Sequence, residues 1–380
     1  MVKIKVAIIG TAGIPANYGG FETLAEYLVK YLNKKFDFIV YCSSYNYEQK
    51  MPSYNQAKLI YIPVKANGKS SIVYDCISLI DSIFRARVLL VLGVGGAFLF
   101  PFIRLISRKK IIVNIDGLEW KRQKWNSIAK WYLKGQEKIA VAFAHTVITD
   151  NGAIQDYVLE TQNKTSQLIA YGGDHAYKMS PSKSAMDRFE FLFSFYAFSV
   201  CRIEPENNIH LILKAFANTN KVNLVIVGNW NSSNYGKRIK EQYSGHEKIF
   251  LIDAIYDQAQ LNELRSNCGL YIHGHSAGGT NPSLVEAMSL GLPVLAFDIN
   301  YNRYTTENHA LYFKDVFELE EIIDKIGADS VDLAVIAMNL KSVADKQYTW
   351  LNVTNRYEEV IKIFFDKARV SPSNVVKVKT

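Results

Sequence analysis

Cysteine is scarce. The chain holds four, Cys42, Cys76, Cys201 and Cys268, and no two of them form a CxxC pair. That excludes a disulfide scaffold and a thiolate zinc site, and it reads as reduced core thiols of a cytoplasmic protein. Long hydrophobic runs are also missing. The one candidate span, Val88–Ile103, falls short of the ~20 residues a membrane helix needs and is broken by Gly93, Gly95, Gly96 and Pro101. A buried strand at 88–92, a loop and an apolar helix account for it better. No secretory leader is expected, because Met1-Val-Lys-Ile-Lys5 leads straight into a strand and a glycine loop. Zinc-finger spacing, ribonucleoprotein motifs and a dense basic helix are all absent, which ranks nucleic acid low as a partner.

What is present is a 380-residue chain, 49% hydrophobic, with a formal charge of +8 and pI ≈ 9.0. The length exceeds one ordinary core and predicts two domains, while the charge favours anionic partners such as nucleotide-linked substrates or an acidic membrane surface. Short Val- and Ile-rich runs at Lys5–Ile9, Phe36–Tyr41, Leu59–Pro63, Val88–Leu92, Ile111–Ile115 and Thr146–Thr149 alternate with helical patterns such as Phe21–Lys34 and Ile128–Ala144. This rhythm predicts an α/β fold, a parallel sheet covered on both faces. It breaks in the polar stretch Ala176–Glu190 and resumes from Phe193 to Phe297, which predicts a second Rossmann-like domain and a ligand cleft between the two. A last amphipathic helix runs from Thr349 to Lys367, and Arg369–Thr380 reads as frayed.

Four segments carry candidate chemistry. Gly10-Thr-Ala-Gly13-Ile-Pro15-Ala-Asn17-Tyr18-Gly19-Gly20-Phe21-Glu22 follows the first strand, where glycines let backbone approach a ligand. A tight strand–helix turn is the plainer alternative, and the spacing does not fit the dinucleotide fingerprint GxGxxG. Asp116 ends an apolar strand and is followed by Glu119, Trp120, Arg122, Lys124 and Trp125. It suits a general base, although a lone carboxylate at a strand end is more often a helix cap or turn former. Arg202 follows the second domain's first strand, its planar fork suited to phosphate oxygens, with a surface ion pair as the alternative.

The fourth segment is the most informative. His273-Gly-His275-Ser-Ala-Gly278-Gly279-Thr280-Asn281-Pro282-Ser283-Leu-Val-Glu286 reads as a buried strand, a glycine loop and a capped helix bearing one carboxylate. Helix amides and dipole there suit an anion, and Glu286 one turn in suits ligand hydroxyls, or serves only as a first-turn charge. His273 and His275, two apart, are expected on opposite faces of an extended strand and so are poor co-ligands for a metal.

Together these segments resemble the retaining glycosyltransferases of family 4, with a two-domain GT-B fold. The loops at residues 10–22 and 113–125 look most like the bacterial polysaccharide rhamnosyltransferase group. The resemblance implies an acceptor-binding domain at 1–175, a nucleotide-sugar domain at 190–345 and a C-terminal segment at 346–380 packing back on the first domain. It implies Asp116, Arg202 and Glu286 as catalytic residues, and Gly19, Gly20, Arg202, Gly278, Gly279, Thr280, Asn281, Ser283 and Glu286 as the donor site. Glu119, Trp120 and Arg122 fall on the acceptor side. The implied reaction moves L-rhamnose from dTDP-rhamnose, with retention, onto a lipid diphosphate-linked saccharide. No metal or cofactor is expected: no Asp-x-Asp handle occurs, and the nucleotide sugar is a substrate.

Two departures stand out. Asn207 replaces the expected second phosphate-clamping Lys, and Gly278 replaces the first of the family's two Glu residues. Three rivals remain: another donor such as a UDP-hexose or N-acetylhexosamine, a noncatalytic nucleotide-sugar-binding subunit, and, weakest, a nucleotide-dependent oxidoreductase. The strip from Phe98 to Lys110 reads first as a buried helix with charged ends and second as a peripheral contact with an anionic membrane at its cytoplasmic face. Lys121, Arg122, Lys124, Lys130 and Lys134 add charge nearby.

Overall fold

The apolar runs assemble into two separate parallel sheets in the computed structural model, which describes residues 3–17, 19–122 and 125–365. Tyr18, Lys124 and the tail Arg369–Thr380 lie outside the described residues. The first sheet contains β1 (Ile4–Ile9), β2 (Phe36–Ser43), β3 (Ser53–Tyr54), β4 (Ala57–Ile62), β5 (Val88–Leu92), β6 (Lys110–Asn114), β7 (Thr146–Thr149) and β8 (Gln167–Leu168). Their order is β3-β4-β2-β1-β5-β6-β7-β8, and every pair is parallel except β3 with β4.

The connections of this sheet are α1 (Gly20–Leu32), α2 (Ser71–Arg85), α3 (Phe100–Ile106), α4 (Ser127–Phe143) and α5 (Gly152–Gln162). Side chains alternate across each strand, so both faces need cover. Val6, Ile8, Val40 and Leu90 meet Leu24, Leu28 and Val29 of α1 on one face. On the other face Ile9, Leu89 and Val91 meet Leu79 of α2, Phe100 of α3, Val141 of α4 and Ile154 of α5.

A short helix, α6 (Lys183–Arg188), lies in the polar connection. The second sheet has the order β11-β10-β9-β12-β13-β14, all parallel, from β9 (Tyr196–Val200), β10 (Asn223–Gly228), β11 (Ile249–Asp253), β12 (Leu270–His273), β13 (Val294–Phe297) and β14 (Leu311–Phe313). Its helices are α7 (Ile209–Thr219), α8 (Asn234–Tyr243), α9 (Gln258–Arg265), α10 (Pro282–Ser289), α11 (Asn300–Thr306) and α12 (Val316–Gly327).

Two further helices, α13 (Leu333–Gln347) and α14 (Trp350–Lys362), follow. The second of these returns to the first sheet. Trp350 stacks on Tyr27 of α1 at 4.3 Å, Asn114 Nδ2 donates to Tyr357 OH at 2.9 Å, and Lys35 pairs with Glu358 at 2.6 Å. No helix among the described residues is long and apolar enough to cross a membrane.

Strand order decides where a ligand can sit. Successive connections leave in opposite directions at β1/β5 in the first sheet and at β9/β12 in the second. The crevices at those strand ends are the binding positions of open α/β sheets. The loop at residues 10–19 follows β1, Arg202 follows β9, and the loop at 274–281 follows β12.

Two local expectations are corrected. His273 and His275 do not point apart: β12 ends at His273, and the two rings stack at 4.3 Å with an interplanar angle of 10°. The strict alternation of a strand does not extend past its last residue. The strip from Phe98 to Lys110 is only half buried. Phe100 and Ile103 enter the core, whereas Phe102, Leu105 and Ile106 face solvent.

Candidate active site

The loops at the two switch points touch. Gly117 comes so close to the other domain that a Cβ there would lie 2.6 Å from Gly278 Cα, so glycine is required by the contact. Gly278 itself has φ +126, a conformation that a Glu could adopt only under strain. This accounts for the departure at that position: the backbone turn excludes the side chain.

At the start of α1, Gly19 caps the helix without a side-chain hydrogen bond, and Gly20 lies against Pro282, the first residue of α10. The starts of α1 and α10 therefore converge from opposite domains. In α10, however, Asn281 Oδ1 already accepts from Ser283 N at 3.1 Å and from Ser283 Oγ at 2.9 Å, and Pro282 has no N–H. The free amides expected from this helix are thus largely capped. Glu22 is also engaged, accepting from Ala12 N at 2.7 Å and Thr11 Oγ1 at 3.3 Å, which pins the β1 loop.

Asp116 stands two residues past β6 with φ +57, a left-handed conformation that Asp and Asn tolerate better than other side chains. Its amide donates to Asn114 Oδ1 at 2.9 Å, and Tyr171 OH makes a long contact of 3.5 Å to its carboxylate. Burial raises its pKa, Arg122 and Arg202 pull it down, and Glu119 pushes it up; the net direction is upward.

Arg202 is exposed, with only a loose 3.8 Å pairing to Glu204, so its fork is open to a ligand. Asn207 is buried and donates to Arg202 O at 2.6 Å, which anchors the Arg202 turn instead of presenting charge. A second arginine lies close to this turn. Arg122, from the first domain, pairs with Glu119 at 2.7 Å and reaches Glu204 of the second domain at 3.9 Å. Burial drives His275 well below the usual imidazole range, with His273, Arg202 and Arg122 pushing the same way. His275 is therefore neutral and within the field of both arginines.

Glu286 is held from two sides. One oxygen pairs with Arg265 of α9, which is fully buried, and the other lies 3.0 Å from His175 Nε2. His175 Nδ1 accepts from Trp350 Nε1 at 3.0 Å. Burial pushes the Glu286 carboxyl up, but Arg265 and His175 outweigh it and bring it down to about 2. It is ionised at any ordinary pH and already carries two partners.

Trp120 is placed away from the expected acceptor role. Its Nε1 donates to Glu137 of α4 at 2.9 Å, and Lys134 lies 4.8 Å over its ring. Glu119 accepts from Trp125 Nε1 at 3.1 Å and braces Arg122. Asp150, at the end of β7, is the residue the sequence did not single out. It is fully buried, neither carboxylate oxygen has a hydrogen-bond partner of normal geometry, and a Cβ on Gly279 would lie 2.0 Å from Oδ1. Burial raises its pKa well above the carboxylate range, and Asp116 adds to the rise. Next to it, Asn151 caps α5.

Thr280 bolts the domains together here, donating to Asp150 O at 2.5 Å. Beside it, a cavity of about 580 Å³ opens between Asp150, Thr280, Arg303, Tyr304, Tyr348 and Arg356. Its walls do not include Asp116, Arg202 or Glu286, so the volume lies next to the polar cluster and not within it. Among the described residues, no group of three or more His, Cys, Asp or Glu is gathered as a metal site.

Two families match the chain. Residues 3–174 match a domain of unknown function (DUF1972), and residues 189–333 match Glycosyl transferases group 1. No curated protein matches in sequence. Among solved structures, sucrose-phosphate synthase from Thermosynechococcus elongatus is similar at a TM-score of 0.81 and 15% identity, over 96% of this chain and 99% of that one. HepE from Anabaena in complex with UDP-glucose is similar at 0.74 and 16% identity, over 95% and 100%. The catalytic domain of starch synthase IV from Arabidopsis thaliana, bound to ADP and acarbose, is similar at 0.72 and 12% identity, over 95% and 99%. The likeness to group 1 glycosyltransferases thus lies in residues 189–333, and the two facing Rossmann-like domains form the GT-B fold.

Proposed function

We propose that this protein is a retaining glycosyltransferase that moves L-rhamnose from dTDP-rhamnose onto a lipid diphosphate-linked saccharide in bacterial surface-polysaccharide synthesis. The observation that carries the reading is the close approach of the Asp116–Gly117 loop to the Gly278 loop at the switch points of both sheets, which puts Asp116 within the field of Arg202. One group suits an alcohol and the other a departing diphosphate. Arg202 and Arg122 would hold the diphosphate, so the reading needs no metal ion. The acceptor hydroxyl attacks on the face the diphosphate leaves. Asp116 accepts the hydroxyl's proton as general base and passes it to a leaving phosphate oxygen, and the C1–O bond to phosphate breaks as the new glycosidic bond forms.

A deoxysugar agrees with Gly278 in place of a Glu, since it has one hydroxyl fewer to satisfy. HepE in complex with UDP-glucose favours a UDP-hexose as the second reading. A panel of nucleotide sugars with a lipid-linked acceptor separates the two: product from dTDP-rhamnose alone is expected, and product from UDP-glucose alone would replace the donor. Loss of either arginine should weaken nucleoside diphosphate binding by about 10- to 100-fold in calorimetry, the worth of one charge-assisted contact. Unchanged binding in both Arg122→Ala and Arg202→Ala would remove the clamp.

Asp150 fits a second sugar contact, a buried carboxyl beside Gly279 whose oxygens have no hydrogen-bond partner of normal geometry. Because its carboxyl is raised by burial, the folded state loses stability as pH rises above the ordinary Asp range, and an amide escapes that loss. Asp150→Asn should therefore raise the melting temperature at neutral pH while keeping a donor and an acceptor for the sugar, whereas Asp150→Ala, which removes both, should lower transfer roughly tenfold, one lost hydrogen bond. A purely structural Asp150 would show the opposite pattern, a lower melting temperature with activity retained.

A further inference from the structure

The helices over one face of the first sheet leave apolar side chains on their outer side. On α2, Val73, Ile77, Ile80 and Phe84 recur at helical spacing, and all are exposed, Phe84 by 83%. On α3, Phe102 and Ile106 are exposed and Leu105 is 84% open; on α4, Ile128 and Trp131 are 78% and 79% open. The inner sides of the same helices supply Tyr74, Leu79, Phe100, Ile103, Ala140 and Val141 to one core cluster. The helices also touch: Arg104 Nη1 donates to Phe143 O at 3.3 Å, and Leu79 lies beside Gly96 just before α3. The outer residues therefore belong to one surface, beyond what an ordinary soluble face exposes.

Charge identifies the partner. Arg104, Arg108, Lys130, Lys134 and Lys138 stand among these apolar residues. The acids of the three helices are withdrawn: Asp75 and Glu137 are buried, and Asp81 is bound by Tyr41 OH at 2.7 Å and Arg85 at 2.6 Å. A second copy meeting this face through a twofold axis would set cation against cation. A bilayer bearing anionic lipid satisfies both parts, with apolar side chains at the acyl boundary and Lys and Arg at the phosphates.

We propose that the outer face of α2, α3 and α4 docks the chain on an anionic membrane surface, with Phe84, Leu105 and Trp131 entering the interface. The face borders the acceptor side of the cleft, because α3 follows the loop after β5 and α4 follows the Asp116 loop. It rests on the proposed function only in taking its acceptor from the lipid.

The test floats the full chain with vesicles of phosphatidylcholine alone and of roughly three parts phosphatidylcholine to one of phosphatidylglycerol. Binding to the anionic vesicles, weakened by high salt and reduced at least ~tenfold in Phe84→Glu/Leu105→Glu, is expected. Leu105→Ala gives a milder variant should the double change unfold, and thermal melts check both. No binding to anionic vesicles, equal binding by the variants, or a dimer dispersed by the same changes would overturn the proposal. Nucleoside diphosphate binding is read separately. A chain that floats yet transfers no sugar leaves the docking face standing and removes the proposed function alone.

Discussion

Asp116→Asn is expected to lower kcat by ~10²–10⁴-fold while donor binding changes only a few-fold, the range for loss of a positioned acid–base group. Asn is the informative substitution because of backbone conformation. At φ +57 an Asn sits as comfortably as an Asp, whereas Ala would strain the turn and confuse the result. The amide also keeps a carbonyl oxygen for Tyr171, which contacts the carboxylate at 3.5 Å. What it loses is the charge. Burial raises the Asp116 carboxyl above its ordinary range, so wild-type turnover should rise with pH as that group ionises, along a limb absent from the Asn variant. Steady-state transfer across pH measures both. Full transfer by the variant would end the role assigned to Asp116.

Glu286→Ala is expected to cost ~3–5 kcal/mol of stability, because it strands the fully buried Arg265 without a counter-charge. Glu286→Gln keeps a hydrogen-bonding side chain of the same size and is the better probe of donor binding. The pH dependence follows from the depressed carboxyl. With the folded pKa at about 2 against 4.5 for the ordinary group, the ion pair's contribution is complete above about 4.5 and disappears as pH falls through about 2. That contribution is ~3 kcal/mol at neutral pH. Urea denaturation of wild type and both variants at neutral and acid pH checks the sign. An alanine variant as stable as wild type at neutral pH would mean that Arg265 does not depend on Glu286.

The architecture was largely legible because parallel strands buried on both faces are written as short apolar runs. Val88–Leu92, Thr146–Thr149 and Leu270–His273 have the same bounds in the sequence and in the fold. The site was legible only where residues cluster along the chain, as at Asp116–Arg122 and Gly278–Glu286. Arg265, His175 and Asp150 were not, since each is a single polar residue in an unremarkable segment. Their significance comes from contacts such as that of His175 with Glu286, which join positions far apart in sequence. The resemblance set Trp120 on the acceptor side; its hydrogen bond to Glu137 and the approach of Lys134 to its ring are tertiary contacts that local pattern does not contain.

Because α14 lies against α1 and β6, the polypeptide passes from one half of the molecule to the other twice, once near Ala176–Glu190 and again between α13 and α14. Two neighbouring tethers resist twisting in a way that a single linker does not. Motion of the halves is then confined to swinging about the line joining the tethers, like a door on paired pins.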